Sequence, residues 1–142
     1  MISAGLWKTM MYVNFRKAIG NTTKQVLLID AAGALLSAIM LGLVLPHLVD
    51  YVGMSPNVLR ALAVPPLVFI IFDIIAYRWS EDRWRQAVAI IAVANVVYCC
   101  ISIFLMYQHK DILLPFGYLY FVVEVIIVLV VAGVEFKIAR SK

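Results

Sequence analysis

Residues 113–136 read LLPFGYLYFVVEVIIVLVVAGVEF, an apolar run long enough to cross a bilayer that carries an acid, Glu124, near its middle. Glu124 stands roughly 11 residues from the outer end of the run and 12 from the inner, or about 18 Å from either by helical rise. That depth is the centre of a membrane. A charged carboxylate there costs at least ~3 kcal/mol on insertion scales, and holding it protonated at neutral pH costs a similar ~3.7 kcal/mol from its solution reference. Glu124 is therefore expected near a protonation boundary and facing protein or water, not lipid.

Working outward, three more runs are long enough to span: residues 25–46, 56–78 and 86–108. The 142 residues are 65% hydrophobic and 14% charged, with a mean hydropathy of +0.99. Soluble domains average about half apolar and a quarter charged, so no soluble domain remains to be assigned. The expected fold is all-α: an antiparallel four-helix transmembrane bundle, residues 25–142, preceded by an N-terminal amphipathic interfacial helix within residues 1–24.

Charge sets the expected orientation. All but two of the 12 Lys and Arg flank the spans on one side: Lys8, Arg16, Lys17 and Lys24, then Arg78, Arg83 and Arg85, then Lys137, Arg140 and Lys142. Only Arg60 and Lys110 fall on the other side. The bias predicts both termini in the cytoplasm and argues against dual topology. The net charge of +4 gives no other support for a nucleic-acid partner. The expected partners are the lipid bilayer and a membrane protein or a second copy.

The N-terminal stretch interleaves Ile2, Leu6, Trp7, Met10, Val13 and Phe15 with Lys8, Asn14, Arg16 and Lys17, a pattern that suits a helix at the headgroup layer. No cleaved signal peptide is expected, because the first apolar run starts late, exceeds an h-region and lacks a small-x-small site. Asn21-Thr22-Thr23 matches a glycosylation sequon, but on the cytoplasmic side.

Span one repeats small residues at Ala34, Ala38 and Gly42, the spacing that lets a second helix approach closely. Asp30 shares a face with Gly33, Ala34 and Ser37. The loop 46–55 is short enough to make spans one and two neighbours, and Ser55-Pro56 reads as N-cap and first helical position. Pro65 and Pro66 remove two backbone donors and should kink span two. Asp73 and Asp30 fall at one depth, about 7 to 8 Å inside the inner boundary. In the inner loop 77–85, Trp79 and Trp84 suit interface anchors, and Ser80-Glu81-Asp82 suits a helix start.

Span three aligns Asn95, Tyr98, Cys99 and Ser102 in one polar stripe that should face inward. In span four Gly117, Tyr120 and Glu124 share a face, and Glu135 reads as an acid at the inner end. Levelling the spans by rise per residue brings Ser37, Pro66, Tyr98 and Glu124 to a layer about 18 Å deep. The candidate ligand- or proton-binding residues are thus Glu124, Asp73, Asp30, Asn95, Tyr98 and Ser37. No Lys or Arg lies at that depth to neutralise them.

The adjacent Cys99 and Cys100 make neither a C-x-x-C nor a zinc pattern and read as packing, which disfavours the four-helix thiol oxidoreductases. His47 and His109, with Met40, Met54 and Met106, fall in the outer half, but two lone histidines read as ordinary loop residues. Nothing matches a nucleophile, a phosphate loop or a metalloprotease signature, and no cofactor is indicated.

In helix count and in carrying an intramembrane Glu the chain is similar to small multidrug transporters. Their essential Glu lies in the first span, whereas Glu124 lies in the last, so no residue role carries over. A looser likeness to four-helix sterol isomerases rests on no motif. The favoured function is a non-enzymatic accessory subunit or small-ligand binder with buried intramembrane carboxylates. The alternatives are a small proton- or cation-coupled transporter, and a lipid- or sterol-modifying enzyme using Glu124 and Asp73 as acid and base.

Overall fold

The computed structural model describes residues 4–78 and 83–140, and for residues 15–22 the backbone alone. The described chain is all-helical: α1 (Ala4–Ile39), α2 (Val49–Val52), α3 (Pro56–Leu62), α4 (Val64–Arg78), α5 (Trp84–Gln108) and α6 (Pro115–Arg140). Four stretches are long and apolar enough to cross a membrane: Thr23–His47, Pro56–Arg78, Trp84–Gln108 and Pro115–Arg140. The chain is a small multi-pass membrane protein. Phe15, Arg16, Lys17, Asn21 and Thr22 lie outside the described side chains, and Trp79, Ser80, Glu81, Asp82 and Lys142 outside the described residues altogether.

Helix α1 runs without a break through residues 24 and 25, where the sequence suggested a change from surface segment to span. No proline interrupts it, and every residue from 4 to 14 is exposed. Its far end is irregular for a local reason. Pro46 offers no N–H to the carbonyl of Gly42, and the preceding Met40–Val44 turn widens to a π-helix in which the Leu45 N–H bonds the Met40 carbonyl. A 3-10 turn, Leu45–His47, follows.

In the second span, where a kink is expected, α3 ends at Leu62 and α4 begins at Val64, so the helix is interrupted at Ala63, just before the proline pair. Ser55 caps α3, its hydroxyl accepting from the Val58 N–H at 3.4 Å, with Pro56 in the first turn. Two glycines let the loops meet. Gly53 sits at φ 85°, and a Cβ there would strike the Ile112 carbonyl. At Gly117 a Cβ would lie 2.6 Å from the Val52 carbonyl oxygen. The contact they permit is a backbone hydrogen bond, Leu114 N–H to the Val52 carbonyl, at 2.9 Å.

The most extensive packing pairs α1 with α4 and α5 with α6, and the two pairs touch each other more sparingly. Burial concentrates in two apolar clusters. The larger surrounds the loops and contains Leu41, Leu45, Val52, Met54, Leu59 and Phe121, among others. The smaller joins Leu27, Ala76, Ala87, Val88 and Ile91. Between them α1, α4, α5 and α6 each contribute polar side chains to the interior. The small-residue repeat serves two ends: Ala38 is buried, a Cβ added at Gly42 would lie 3.5 Å from that of Ala63, and Gly33 and Ala34 line open space.

Candidate functional site

Four carboxylic acids are buried between the two clusters: Asp30 at 8% exposure, Asp73 at 1%, Glu124 at 6% and Glu135 at 0%. They fall into two groups. Glu124 accepts a hydrogen bond from the Tyr98 hydroxyl at 3.2 Å, on Oε1. The hydroxyls of Ser37 and Tyr120 also turn toward its carboxyl. Its Oε2 has no partner.

The second group is built on Asn95. Its amide nitrogen donates to Asp30 Oδ1 and to Glu135 Oε2, each at 3.2 Å. Asp73 of α4 faces Asp30 from the other side. Asp30 Oδ2, Glu135 Oε1 and both oxygens of Asp73 are left without a hydrogen bond. A buried polar atom without a partner costs ~1–3 kcal/mol, so the interior of this bundle carries a concentrated polar cost.

No ion pair to these acids occurs among the described residues. Lys24 lies 5.5 Å from the centre of the Tyr77 ring, and Arg85 lies 5.3 Å from that of Trp84. Both are cation–π contacts of the kind found where an aromatic offers its face to a basic group.

A cavity of about 460 Å³ links the two groups. Asp30, Ser37, Asn95, Tyr98, Tyr120 and Glu124 supply its polar wall, and Pro66 and Phe69 close its back. Its mouth lies between α1 and α6, along the seam where the helix pairs touch sparingly. The residues at that rim are exposed: Ile29 by 60%, Leu36 by 63%, Leu119 by 63% and Ile127 by 54%. The cavity is therefore an apolar groove open to the side of the bundle, with acids at its base.

The structure thus places Ser37, Tyr98 and Glu124 around one cavity with Pro66, and Asp30, Asp73 and Asn95 in a second group whose Asp30 and Asn95 reach the same cavity. Asn95 serves Asp30 and Glu135 rather than Glu124. Glu124 and Asp73, paired in the enzyme alternative, are not brought together, because Asp73 lies behind Asp30 and does not line the cavity. Glu135, read from the sequence as a cheap acid at the inner end, is fully buried and belongs to the cluster. The signal for it was spacing: 11 residues past Glu124 is close to three helical turns, which returns to the same face. Helix α6 also continues to Arg140, so Glu135 lies more than a turn inside its end.

Elsewhere the polar residues satisfy local needs. His47 Nδ1 reaches the Leu43 carbonyl and His109 Nδ1 the Leu105 carbonyl at 2.9 Å, each four residues back on its own helix. Met54 is buried in the larger apolar cluster, with Met40 and Met106 packed against it. The Cys99 thiol donates to the Val125 carbonyl at 3.8 Å, while Cys100 is exposed. Compared with models of protein families, with curated proteins and with solved structures, the chain matches none.

Proposed function

We propose that this protein is a non-enzymatic membrane subunit that binds a small lipophilic amine, or an amphiphile of like charge, in the groove between α1 and α6. One observation carries the reading. Glu124 lines a ligand-sized cavity, keeps one oxygen on Tyr98 and leaves the other uncommitted. Ligand cavities typically run about 300–1,000 Å³ and combine apolar walls with few polar groups, and this one has both properties. An acid at the base of an apolar groove with no basic side chain opposite it complements an apolar body bearing one positive nitrogen. A dry contact of Glu124 with backbone carbonyls would have favoured a purely structural role.

The bundle is taken as antiparallel with both termini cytoplasmic, residues 1–24 forming an amphipathic arm and 25–142 the transmembrane domain. Support for the antiparallel arrangement is the order of contacts: Asn95 meets Glu135 whereas Tyr98 meets Glu124, so α5 ascends as α6 descends. Lys24 over Tyr77 gives the same sense for α1 and α4. Support for the orientation is the basic bias alone. Single cysteines replacing Arg83 and Asp111 should react with an impermeant thiol reagent from opposite sides in intact cells, Asp111→Cys from outside. The reverse pattern would overturn the orientation.

The ligand reading is tested by equilibrium binding of a radiolabelled lipophilic monoamine to the protein in lipid nanodiscs. Wild type should bind it saturably, and Glu124→Gln should weaken binding by about 10- to 100-fold, the range of a charged hydrogen bond worth ~1.5–3 kcal/mol. The N-acetylated analogue, with the same body and no charge, should bind wild type as weakly as the amine binds the variant. Equal affinity of both compounds, or no saturable binding to wild type, would sink the reading.

A further inference from the structure

We propose that Asp30, Asp73 and Glu135, gathered around Asn95, form an intramembrane proton-binding site that exchanges with the groove through Asp30. The claim goes beyond the amine reading and does not depend on it.

The argument starts from the hydrogen-bond inventory. The two N–H bonds of the Asn95 amide are both spent, one on Asp30 and one on Glu135. Asp73 arrives from α4 with 1% exposure and neither oxygen partnered, and it faces Asp30. Four buried oxygens, Asp30 Oδ2, Asp73 Oδ1, Asp73 Oδ2 and Glu135 Oε1, therefore lack a donor. A carboxylate can only accept, but a protonated carboxyl donates and accepts. Two protons, one between Asp73 and Asp30 and one between Glu135 and Asp30, would give three of the four a partner.

The charge inventory leads to the same ligand. Asp30 of α1 lies next to both Asp73 of α4 and Glu135 of α6, so the ionised acids repel, and Asn95 of α5 is neutral. The basic groups that flank it, Lys24, Arg78, Arg85, Lys137 and Arg140, make no ion pair with it among the described residues, and Lys24 is engaged by Tyr77. A metal ion is the other cation that such acids bind. No three His, Cys, Asp or Glu among the described residues converge closely enough to hold one. A proton needs only two facing oxygens.

Access follows from position. Asp73 and Glu135 lie behind the groove, whereas Asp30 and Asn95 belong both to its wall and to the cluster. Asp30 is thus the member that can pass a proton between the cluster and water in the groove.

The test is infrared spectroscopy of the full-length protein in lipid, following the carbonyl stretch of protonated carboxyl groups at neutral pH and its downshift in deuterium oxide. Glu124→Gln removes the other buried acid of the described chain, and Asp50 and Asp111 are exposed. The band should persist in Glu124→Gln and lose about half its intensity when Asp73→Asn is added. Absence of the band from Glu124→Gln at neutral pH overturns the proposal, as does a band that Asp73→Asn leaves unchanged. Should the double variant fail to fold, the persistence or loss of the band in Glu124→Gln decides the matter. Failure of the amine to bind wild type would leave this spectrum unaffected.

Discussion

The loop end of the bundle and its acid layer are built on opposite principles. At the loop end Leu41, Leu45, Val52, Met54 and Leu59 are fully buried, and the backbone bond between Leu114 and Val52 closes the contact between loops. Deeper along the bundle, four carboxyls share the interior with one asparagine and two tyrosines, and several oxygens are unpartnered. Packing at one end supplies the stability that the polar layer spends. The contrast teaches that the acids are a cost this fold carries, which is how ionisable groups inside membranes ordinarily signal a task.

The comparison can be broken most severely at Gly117. A side chain there must displace the Val52 backbone, so Gly117→Val should destabilise the protein by more than ~4 kcal/mol, in the range reserved for backbone or core disruption, read as loss of folded protein in reversible detergent unfolding. Next is Asn95→Leu, which strips the donor from Asp30 and Glu135 together and should cost ~2–4 kcal/mol by leaving two further acceptors unsatisfied. Asp73→Leu sharpens the contrast by its sign. A proton that Asp73 shares with Asp30 is a hydrogen bond, so an apolar residue of similar volume should cost ~1–2 kcal/mol; unchanged or raised stability would mean that Asp73 shares no proton.

Smaller still, Tyr98→Phe should cost ~1 kcal/mol, the worth of one ordinary hydrogen bond, and Glu124→Gln less than ~0.5 kcal/mol, because the amide keeps the shape and remains a partner for Tyr98. Both changes should weaken amine binding by more than they alter unfolding. A Glu124→Gln variant that failed to fold would assign the acid to structure instead.

The four spans were legible because their length and apolar content leave no other reading, and an irregularity near Pro65-Pro66 because a proline cannot donate, although the sequence suggested a kink and the helix is instead interrupted at Ala63. Counting rise per residue also brought Ser37, Pro66, Tyr98 and Glu124 to one level, and these residues line one cavity. Glu135 escaped because its place near a cluster of basic residues looked like a boundary. The groove escaped for a deeper reason. Lipid-facing and groove-facing positions such as Leu36 and Leu119 are equally apolar, so hydrophobic periodicity carries no information about which helices stand apart. The closeness of α5 to α6, set by small and polar contacts such as Cys99 to the Val125 carbonyl, is likewise invisible to counting.

The sideways mouth of the groove has a pharmacological consequence. A ligand that enters between α1 and α6 is drawn from the hydrocarbon phase, so its occupancy follows its concentration in lipid and only indirectly that in water. Each extra buried methylene enriches it in the bilayer by about 0.8 kcal/mol, nearly fourfold, before any contact with protein is made. Apparent potency measured against aqueous dose should therefore climb with chain length and fall as the lipid-to-protein ratio rises, while the affinity referred to the membrane phase stays constant.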